Sequence, residues 1–220
     1  QVTVDAEEIK RDLLASAYGV WDYIKNSGKF DSETWDLEWV SFLSGKRESR
    51  RYVGDYVLNE NDLQAGAEFE DEVAYGGWSM DNHNPYGLLS SLPPNEHFFI
   101  KKPYAIPYRC LYSANIENLF FAGRNVSVSH LSLSSTRVMA TCGMMGQAVG
   151  TACALLNGKK ELPRAMLKEI GKLQQALRDD DCYLLHTPRK LSETVLSSKN
   201  TLSQSEFAVL RSGAERKLNK

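Results

Sequence analysis

A group of side chains suited to proton transfer follows an apolar run near the middle of the chain. Trp78, Asp81 and His83 lie within six residues of one another, directly after the pair Gly76-Gly77. An indole, a carboxylate and an imidazole at a strand end are typical of a substrate pocket, and an imidazole exchanges a proton near neutral pH. We therefore take His83 as a candidate acid or base, with a polar loop end as the alternative.

A second histidine and a cluster of arginines are further candidates. His130 lies in a serine-rich loop between two apolar segments, as a proton-handling group or as a hydrogen-bonded loop residue. Arginines at 47–51 either pair with neighbouring acids at the surface or bind a carboxylate or phosphate through the planar guanidinium. Arg50 and Arg51 would point to opposite faces of a strand, so they should not share a role.

The stretch 118–158 organises these candidates. Residues 119–122 predict a buried strand that ends at Gly123, and residues 136–156 predict one long buried helix whose first turn carries Ser134, Ser135 and Thr136 as caps. The first N–H groups of a helix lack internal partners and lie at its positive end. Strand, turn and helix start together therefore predict an acceptor for an anion or a dipole.

The long apolar segment has two other interpretations. Residues 138–158 contain no charge, which is long enough for a membrane span. Gly143, Gly146 and Gly150 make the segment small in volume, and glycines at helical spacing serve close packing in soluble cores too. We expect no membrane span. A second interpretation remains, in which the segment is a plain core helix whose glycines let it lie tightly on a sheet.

The rest of the chain alternates between helical and extended patterns. Helices are predicted over 5–27, 61–68 and 163–177, strands over 50–58, 73–78 and 182–185, and an extended segment over 101–113. Residues 35–43 are left open between helix and loop, and a weak helix is placed at 205–218. These patterns predict an α/β fold in the sense of mixed α+β.

Composition excludes several classes of function. The formal net charge of −2 over 220 residues offers no basic surface for nucleic acid. The four cysteines form no CxxC pair and no spacing suited to zinc, so no metal is expected. Charges among the first twelve residues do not fit a signal peptide. Localisation is left open for a soluble chain, which could be cytoplasmic, periplasmic or secreted.

Four segments carry a family resemblance. They read RESRRYVGDYVLNENDL at 47–63, FEDEVAYGGWSMDNH at 69–83, IPYRCLYSANIENL at 106–119, and NLFFAGRNVSVSHLSLSSTRVMATCGMMGQAVGTACALL at 118–156. In this order they resemble the C-terminal part of bacterial FAD-dependent oxidoreductases with the two-part FAD domain of the glutathione reductase type. The GxGxxG turn that opens such a domain does not occur in this sequence. The resemblance therefore implies a C-terminal portion that is inactive on its own.

The resemblance also implies a domain plan and an activity. It implies a substrate or cap portion at 1–102, the C-terminal part of an FAD-binding domain at 103–186, and a tail or linker at 187–220. It also implies that the strands of the associated substrate domain are antiparallel. The parent protein would oxidise or reduce a small molecule by hydride transfer through FAD. The implied cofactor contacts are Gly123, Arg124, Asn125, Thr136, Arg137 and Val138. The residues implied in substrate or proton handling are His83, His130, Arg50, Tyr108 and Arg109.

One position departs from the family pattern. Where the family usually has an acidic residue after the strand-end glycine, this chain has Arg124, which suggests a cationic contact to phosphate or the flavin edge. The implied partners are a small-molecule substrate and the missing N-terminal half of the FAD domain, and the oligomeric state is left open. Two alternatives are a non-catalytic structural or interaction fragment and a carbohydrate-binding module using Trp35, Trp39 and Trp78, although the aromatic spacing predicts mostly buried rings.

Overall fold

A computed structural model of the chain describes residues 5–43, 45, 48, 50–87, 90–157, 159 and 161–187. Residues 1–186 form one compact unit, to which the following description applies. The helix predicted at 205–218 and, apart from Thr187, the predicted tail or linker lie outside the described residues.

The described residues combine five helices with two small antiparallel sheets, which confirms the mixed α and β architecture. The helices are α1 (Ala6–Asn26), α2 (Glu60–Ala65), α3 (His130–Thr136), α4 (Met139–Asn157) and α5 (Ile170–Asp179). The strands are β1 (Glu72–Gly76), β2 (Met80–His83), β3 (Asn95–Phe98) and β4 (Tyr104–Pro107). Short 3-10 helices occupy Tyr108–Cys110, Gly123–Asn125 and Pro163–Glu169.

The core forms where α4 and α5 pack on β1. Strand β1 pairs with β4 in antiparallel register, with Tyr75 opposite Ala105 and Gly76 opposite Tyr104. Apolar residues from both strands and both helices are fully buried there, including Tyr104, Ile106, Met145, Ala152 and Leu173. This sheet joins residues on both sides of the predicted boundary at 102/103, and that division stays a prediction.

The second sheet is the β2–β3 hairpin, with α3 packed beside β2. Its register places Asp81 opposite His97 and His83 opposite Asn95. Directly opposed residues share a face and alternate residues point to opposite faces. The hairpin therefore presents Asp81, His83, Asn95 and His97 on one face, and Met80, Asn82, Glu96 and Phe98 on the other.

The strands predicted at 50–58 and 119–122 are wrong. Each makes a single isolated bridge, Leu58 with Val128 and Phe120 with Tyr112. The N–H groups of Tyr52, Tyr56 and Leu58 donate instead to the carbonyls of Asn125, Arg109 and Ser127. The apolar side chains are enriched as in a strand, but the backbone partners come from separate irregular segments and build no ladder.

The single helix predicted over 136–156 is two helices. Helix α3 begins earlier, because Ser129 Oγ caps it by accepting from the N–H of Ser132. It ends where the N–H of Arg137 donates to the carbonyl of Leu133, and α4 starts at Met139. Ser134, Ser135 and Thr136 are therefore buried residues inside α3 and cap nothing.

The glycine face of α4 does not lie on a sheet within the described residues. A Cβ added at Gly143, Gly146 or Gly150 would meet no atom within 4 Å. By length and composition, α4 could cross a membrane, and a core helix of a soluble protein passes the same test. Within the compact unit, its other side packs on β1 and α5.

The predicted first helix is confirmed as α1, but none of its residues is buried. The chain after it folds back, and Lys25 Nζ donates to the carbonyls of Ser32, Glu33 and Trp35. Residues 35–43 form no helix. The expectation of mostly buried tryptophans is wrong, because Trp35, Trp39 and Trp78 are all more than half exposed.

The last described elements also differ in part from the sequence prediction. The helix predicted at 163–177 is a 3-10 helix followed by α5, and it buries Met166, Leu173 and Leu177 on one side as expected. Residues 182–185 form no strand. Instead, Glu72 fixes His186 beyond them, with 2.6 Å between His186 Nδ1 and Glu72 Oε2.

Candidate functional site

Asp81 contacts the other polar side chains on its face of the β2–β3 hairpin. Its Oδ1 accepts from Asn95 Nδ2 at 3.0 Å and lies 3.6 Å from His97 Nε2. Its Oδ2 lies 3.1 Å from His83 Nε2. The hydrogen bond from Asn95 and the nearby histidines keep the pKa of Asp81 below its ordinary value, against the opposing effect of burial. The carboxylate is therefore charged near neutral pH and orients both imidazoles.

Arg137 connects this face to the junction between α3 and α4. Its Nη2 donates to the Asp81 carbonyl at 3.0 Å and lies 3.3 Å from Asp81 Oδ2. The guanidinium side chain is only 15% exposed. Because backbone and carboxylate both hold it, Arg137 places a fixed positive charge next to the start of α4.

His130 contacts the opposite face of the hairpin. Its Nδ1 lies 2.8 Å from Glu48 Oε2, and its Nε2 lies 3.1 Å from Asn82 Oδ1. Glu48 is also paired with Arg51. Burial, followed by the charges of Arg51 and Arg137, lowers the pKa of His130. The imidazole is half exposed and can meet a ligand.

A cavity of about 150 Å³ lies at the end of the hairpin where the loop connects β2 to β3. Two asparagines, a carboxylate and apolar rings line it: Asn82, Asn84, Pro85, Tyr86, Leu92, Pro93 and Glu96. Asn82 belongs both to this wall and to the contact with His130. Asn82 therefore links the cavity wall to His130, which is not itself a lining residue.

The structure thus brings together three residues that the sequence nominated. His83 lies in β2 and contacts Asp81. His130 contacts Asn82, and Arg137 contacts Asp81, so all three residues are connected through this strand. Asn82, Asn95, His97 and Glu48 were not nominated. The matching two-residue spacings 81/83 and 95/97 were the available signal for a paired hairpin. Nothing local in the sequence signals that Glu48 reaches His130.

Three other nominated residues lie outside this group. Tyr108 is fully buried, and its hydroxyl donates to the Pro163 carbonyl at 2.8 Å. Arg109 makes a two-pronged pair with Asp71, with Nε and Nη2 each 3.0 Å from a carboxylate oxygen. Arg50 is exposed. The first two positions have structural partners, and a substrate role for all three stays a prediction.

A tight turn at 123–125 forms the second part of the site. Gly123 has φ +84°, a left-handed conformation that favours glycine, and a Cβ there would meet only Asn125 Oδ1 at 3.9 Å. The Asn125 carbonyl accepts from the N–H of Tyr52 at 2.9 Å. Arg124 is exposed, and its charge acts on the Cys142 thiol, whose pKa burial raises. The turn lies against α4.

The first residues of α4 are exposed to solvent. The Val138 carbonyl accepts from the N–H of Cys142, so Val138 ends the connection and the helix follows. Met139 is 90% exposed, and Ala140 is exposed as well. Thr136 is fully buried next to this junction, and its Oγ1 has no hydrogen-bond partner among the described residues.

Comparison with known proteins places the chain in a family. The profile of a family described as FAD dependent oxidoreductase matches residues 1–177. The chain therefore belongs to the FAD dependent oxidoreductase family, whose cofactor is FAD. Searches of curated proteins and of solved structures gave no match.

The residues around the α3–α4 junction fit such a cofactor. The junction combines an open helix start with the fixed guanidinium of Arg137. The unpartnered Thr136 hydroxyl marks a buried polar position that the described residues leave incomplete. The Gly123 turn, free of side-chain bulk, lies against the same helix.

Proposed function

We propose that this chain supplies the ring-side part of an FAD site, and part of the substrate site, in an enzyme that oxidises or reduces a small molecule by hydride transfer. The observation that carries the proposal is the convergence of His83, His130 and Arg137 on one strand beside the start of α4. When bound, FAD supplies the hydride chemistry at its N5 atom.

The α4 start and Arg137 would bind negative charge. The first N–H groups of α4 carry its positive end, and a helix N-terminus stabilises an anion by about 0.3–1 kcal/mol, more when partly buried. Arg137 adds a guanidinium group that Asp81 holds in place, and the Asp81 carboxylate compensates part of its charge. Both features favour a more negative flavin ring, so they would raise the reduction potential.

The histidines would handle protons for the substrate. His83 is oriented by the Asp81 carboxylate on one face, and His130 by Glu48 on the other. Imidazole side chains serve as general acids and bases in enzymes. His130 is our first candidate, because it is half exposed and contacts Asn82 of the cavity wall.

The phosphate-binding half of the cofactor site would come from polypeptide outside this sequence. The GxGxxG turn that normally places a helix start at the pyrophosphate is not present in the chain. The uncovered glycine face of α4 supports this, because nothing among the described residues approaches it. We therefore expect this chain to need that half for tight FAD binding.

FAD titration of this chain, and of a version extended upstream through any glycine-rich motif, tests the proposal. Flavin fluorescence and absorbance report binding, and the extended protein is expected to bind more tightly. In it, Arg137→Gln should weaken FAD binding and lower its reduction potential, whereas Arg11→Gln, an exposed change on α1, should do neither. Absence of binding in both lengths would contradict the flavin function and favour an interaction module.

A further inference from the structure

One asparagine side chain organises the loop that connects β2 to β3. Asn84 Oδ1 accepts from the N–H of Tyr86 at 2.9 Å, and its Nδ2 donates to Ser90 Oγ at 3.0 Å. The same Oγ accepts from the N–H of Leu92 at 3.1 Å. The N–H of Asn84 donates to the Pro94 carbonyl at 3.0 Å. Both arms of the loop are therefore held at one point, and Tyr86 from one arm and Leu92 from the other line the cavity.

Glu96 provides the only charge among the described residues that line this cavity. It lies directly opposite Asn82 in the hairpin register. Asn82 Oδ1 lies 3.1 Å from His130 Nε2, and the Asn84 amide is engaged within the loop. The Glu96 carboxylate, in contrast, has no hydrogen bond or ion pair with any residue that the structure describes. It is exposed and can meet a ligand.

The chain around the cavity is acidic. Residues 52–100 contain nine aspartates and glutamates and neither lysine nor arginine. Arg137 and Arg51, which lie near the hairpin, are paired with carboxylates, the first with Asp81 and the second with Glu48. Charges of one sign at a cleft attract ligands of the opposite sign. The cavity should therefore select a cation over an anion.

Apolar side chains supply the rest of the cavity wall. Tyr86 is 76% exposed and Leu92 is 54% exposed, so both have surface that a ligand can cover. Pro85 and Pro93 complete this wall. An aromatic ring attracts a cation over its face or packs on another ring, and covering apolar surface is favourable. The wall therefore suits a ligand with an apolar body in addition to its charge.

We propose that this cavity binds an organic ammonium ion, with the ammonium group at Glu96 and the apolar body against Tyr86 and Leu92. The inference goes beyond the proposed function, because the site uses neither FAD nor a histidine. A sugar is disfavoured, since it needs several free donors and acceptors and both asparagine side chains are already engaged. Solvent screens the exposed carboxylate, so we expect affinity in the millimolar range.

Benzylamine tests this in the full chain without flavin, because it joins an ammonium group to an aromatic ring. Benzyl alcohol and benzoate carry the same ring with a neutral group and an anionic group. The backbone NMR signals of the cavity residues, followed at neutral pH, should shift with benzylamine until they saturate. Benzyl alcohol should bind about 2- to 5-fold more weakly, which corresponds to the loss of an exposed ion pair. Benzoate should bind more weakly still.

Three variants assign the binding to this cavity. Glu96→Gln should weaken benzylamine binding by about 2- to 5-fold and leave benzyl alcohol binding unchanged. Glu70→Gln is the matched control, because it removes an exposed carboxylate that does not line the cavity. Tyr86→Ala should weaken the binding of both compounds, because the ring is lost. The proposal is wrong if the two compounds bind equally, if benzoate is preferred, if the shifts do not saturate, or if Glu96→Gln keeps the preference for benzylamine.

FAD binding is measured separately, on this chain and on the extended protein. If neither binds FAD but benzylamine binds through Glu96, the proposed function is wrong and the ammonium site stands. If FAD binds and the preference for benzylamine is absent, the proposed function stands and the ammonium site is wrong.

Discussion

At the scale of single residues, the two paired arginines Arg109 and Arg137 differ in their surroundings. Asp71 is nearly buried and accepts from the N–H, Nε and Nη2 of Arg109, each at 3.0 Å. This bond pattern consumes the planar fork that would otherwise bind an anionic ligand. Arg137 is also paired, but its partner Asp81 lies among histidines at the site.

We expect Asp71→Asn to lower the free energy of unfolding by about 1–3 kcal/mol, because charged hydrogen bonds to Arg109 are lost from a largely buried position. Urea denaturation measures the change. Glu70→Gln, at the exposed neighbouring position, is the control and should have little effect. If Asp71→Asn leaves the stability unchanged but abolishes turnover in the flavin-loaded parent protein, the pair serves the substrate site through Arg109 and not the fold.

Sequence proximity explains which site residues could be predicted. Asp81 and His83 are two positions apart in one strand, so their residue types and closeness in sequence were enough to predict them as a group. His130 meets Asn82 and Glu48 only because the α3 start lies beside the hairpin. Such contacts depend on tertiary packing, and periodicity along the chain carries no information about them.

At the scale of elements, α4 shows why a strong local pattern predicted the helix and its end correctly but not its start. Its uncharged sequence predicted a long helix, but Ser129 starts a separate α3, and the Arg137 contact with Asp81 occupies the break. The predicted strands at 50–58 and 119–122 failed for a related reason. Strand-forming side chains need a continuous partner strand, and here only isolated bridges form.

Two glycine substitutions, one in α4 and one outside it, should change the stability of the chain in opposite directions. Gly146→Ala should stabilise this chain by up to about 1 kcal/mol, because alanine favours a helix interior and its Cβ would meet no atom within 4 Å. Gly54→Ala should destabilise it, since the added Cβ would lie 2.4 Å from the backbone oxygen of Arg109. Thermal unfolding of the two variants provides the comparison.

The same α4 variant has a different expected outcome in the extended protein. If the missing half of the FAD domain packs on this face, Gly146→Ala should weaken FAD binding there while it stabilises the shorter chain. Equal FAD affinity for both extended proteins would show that the glycine face is not the contact surface.

At the scale of the whole molecule, the ionisable groups predict how the chain responds to acid. Hydrogen bonds from Arg164 keep the pKa of Asp55 below its ordinary value of 3.8, and that of Asp81 is lowered too. The unfolded state therefore binds protons before the folded state does as the pH falls. The stability from these carboxylates is complete above their ordinary pKa and is lost as the pH falls through the lower folded values.

His130 adds an earlier loss of stability in the same direction. Its folded pKa is below the ordinary 6.5, so between these two values the unfolded chain is protonated at this position and the folded chain is not. Stability should fall as the pH drops below 6.5, then again below 3.8. We expect the effect of His130 to be small, because its side chain is half exposed and solvent screens its charge.

Thermal midpoints measured from pH 8 to pH 3 at constant ionic strength test this order. His130→Gln should remove the decrease that begins below pH 6.5, while the decrease below 3.8 stays. Asp55→Asn should lower the midpoint at neutral pH, because Arg164 and Tyr112 lose a charged partner, and should flatten the profile at the acidic end. A profile that keeps the same slope in both variants would show that other groups control the acid response, because each substitution removes one of the two titrations from the folded and the unfolded state alike.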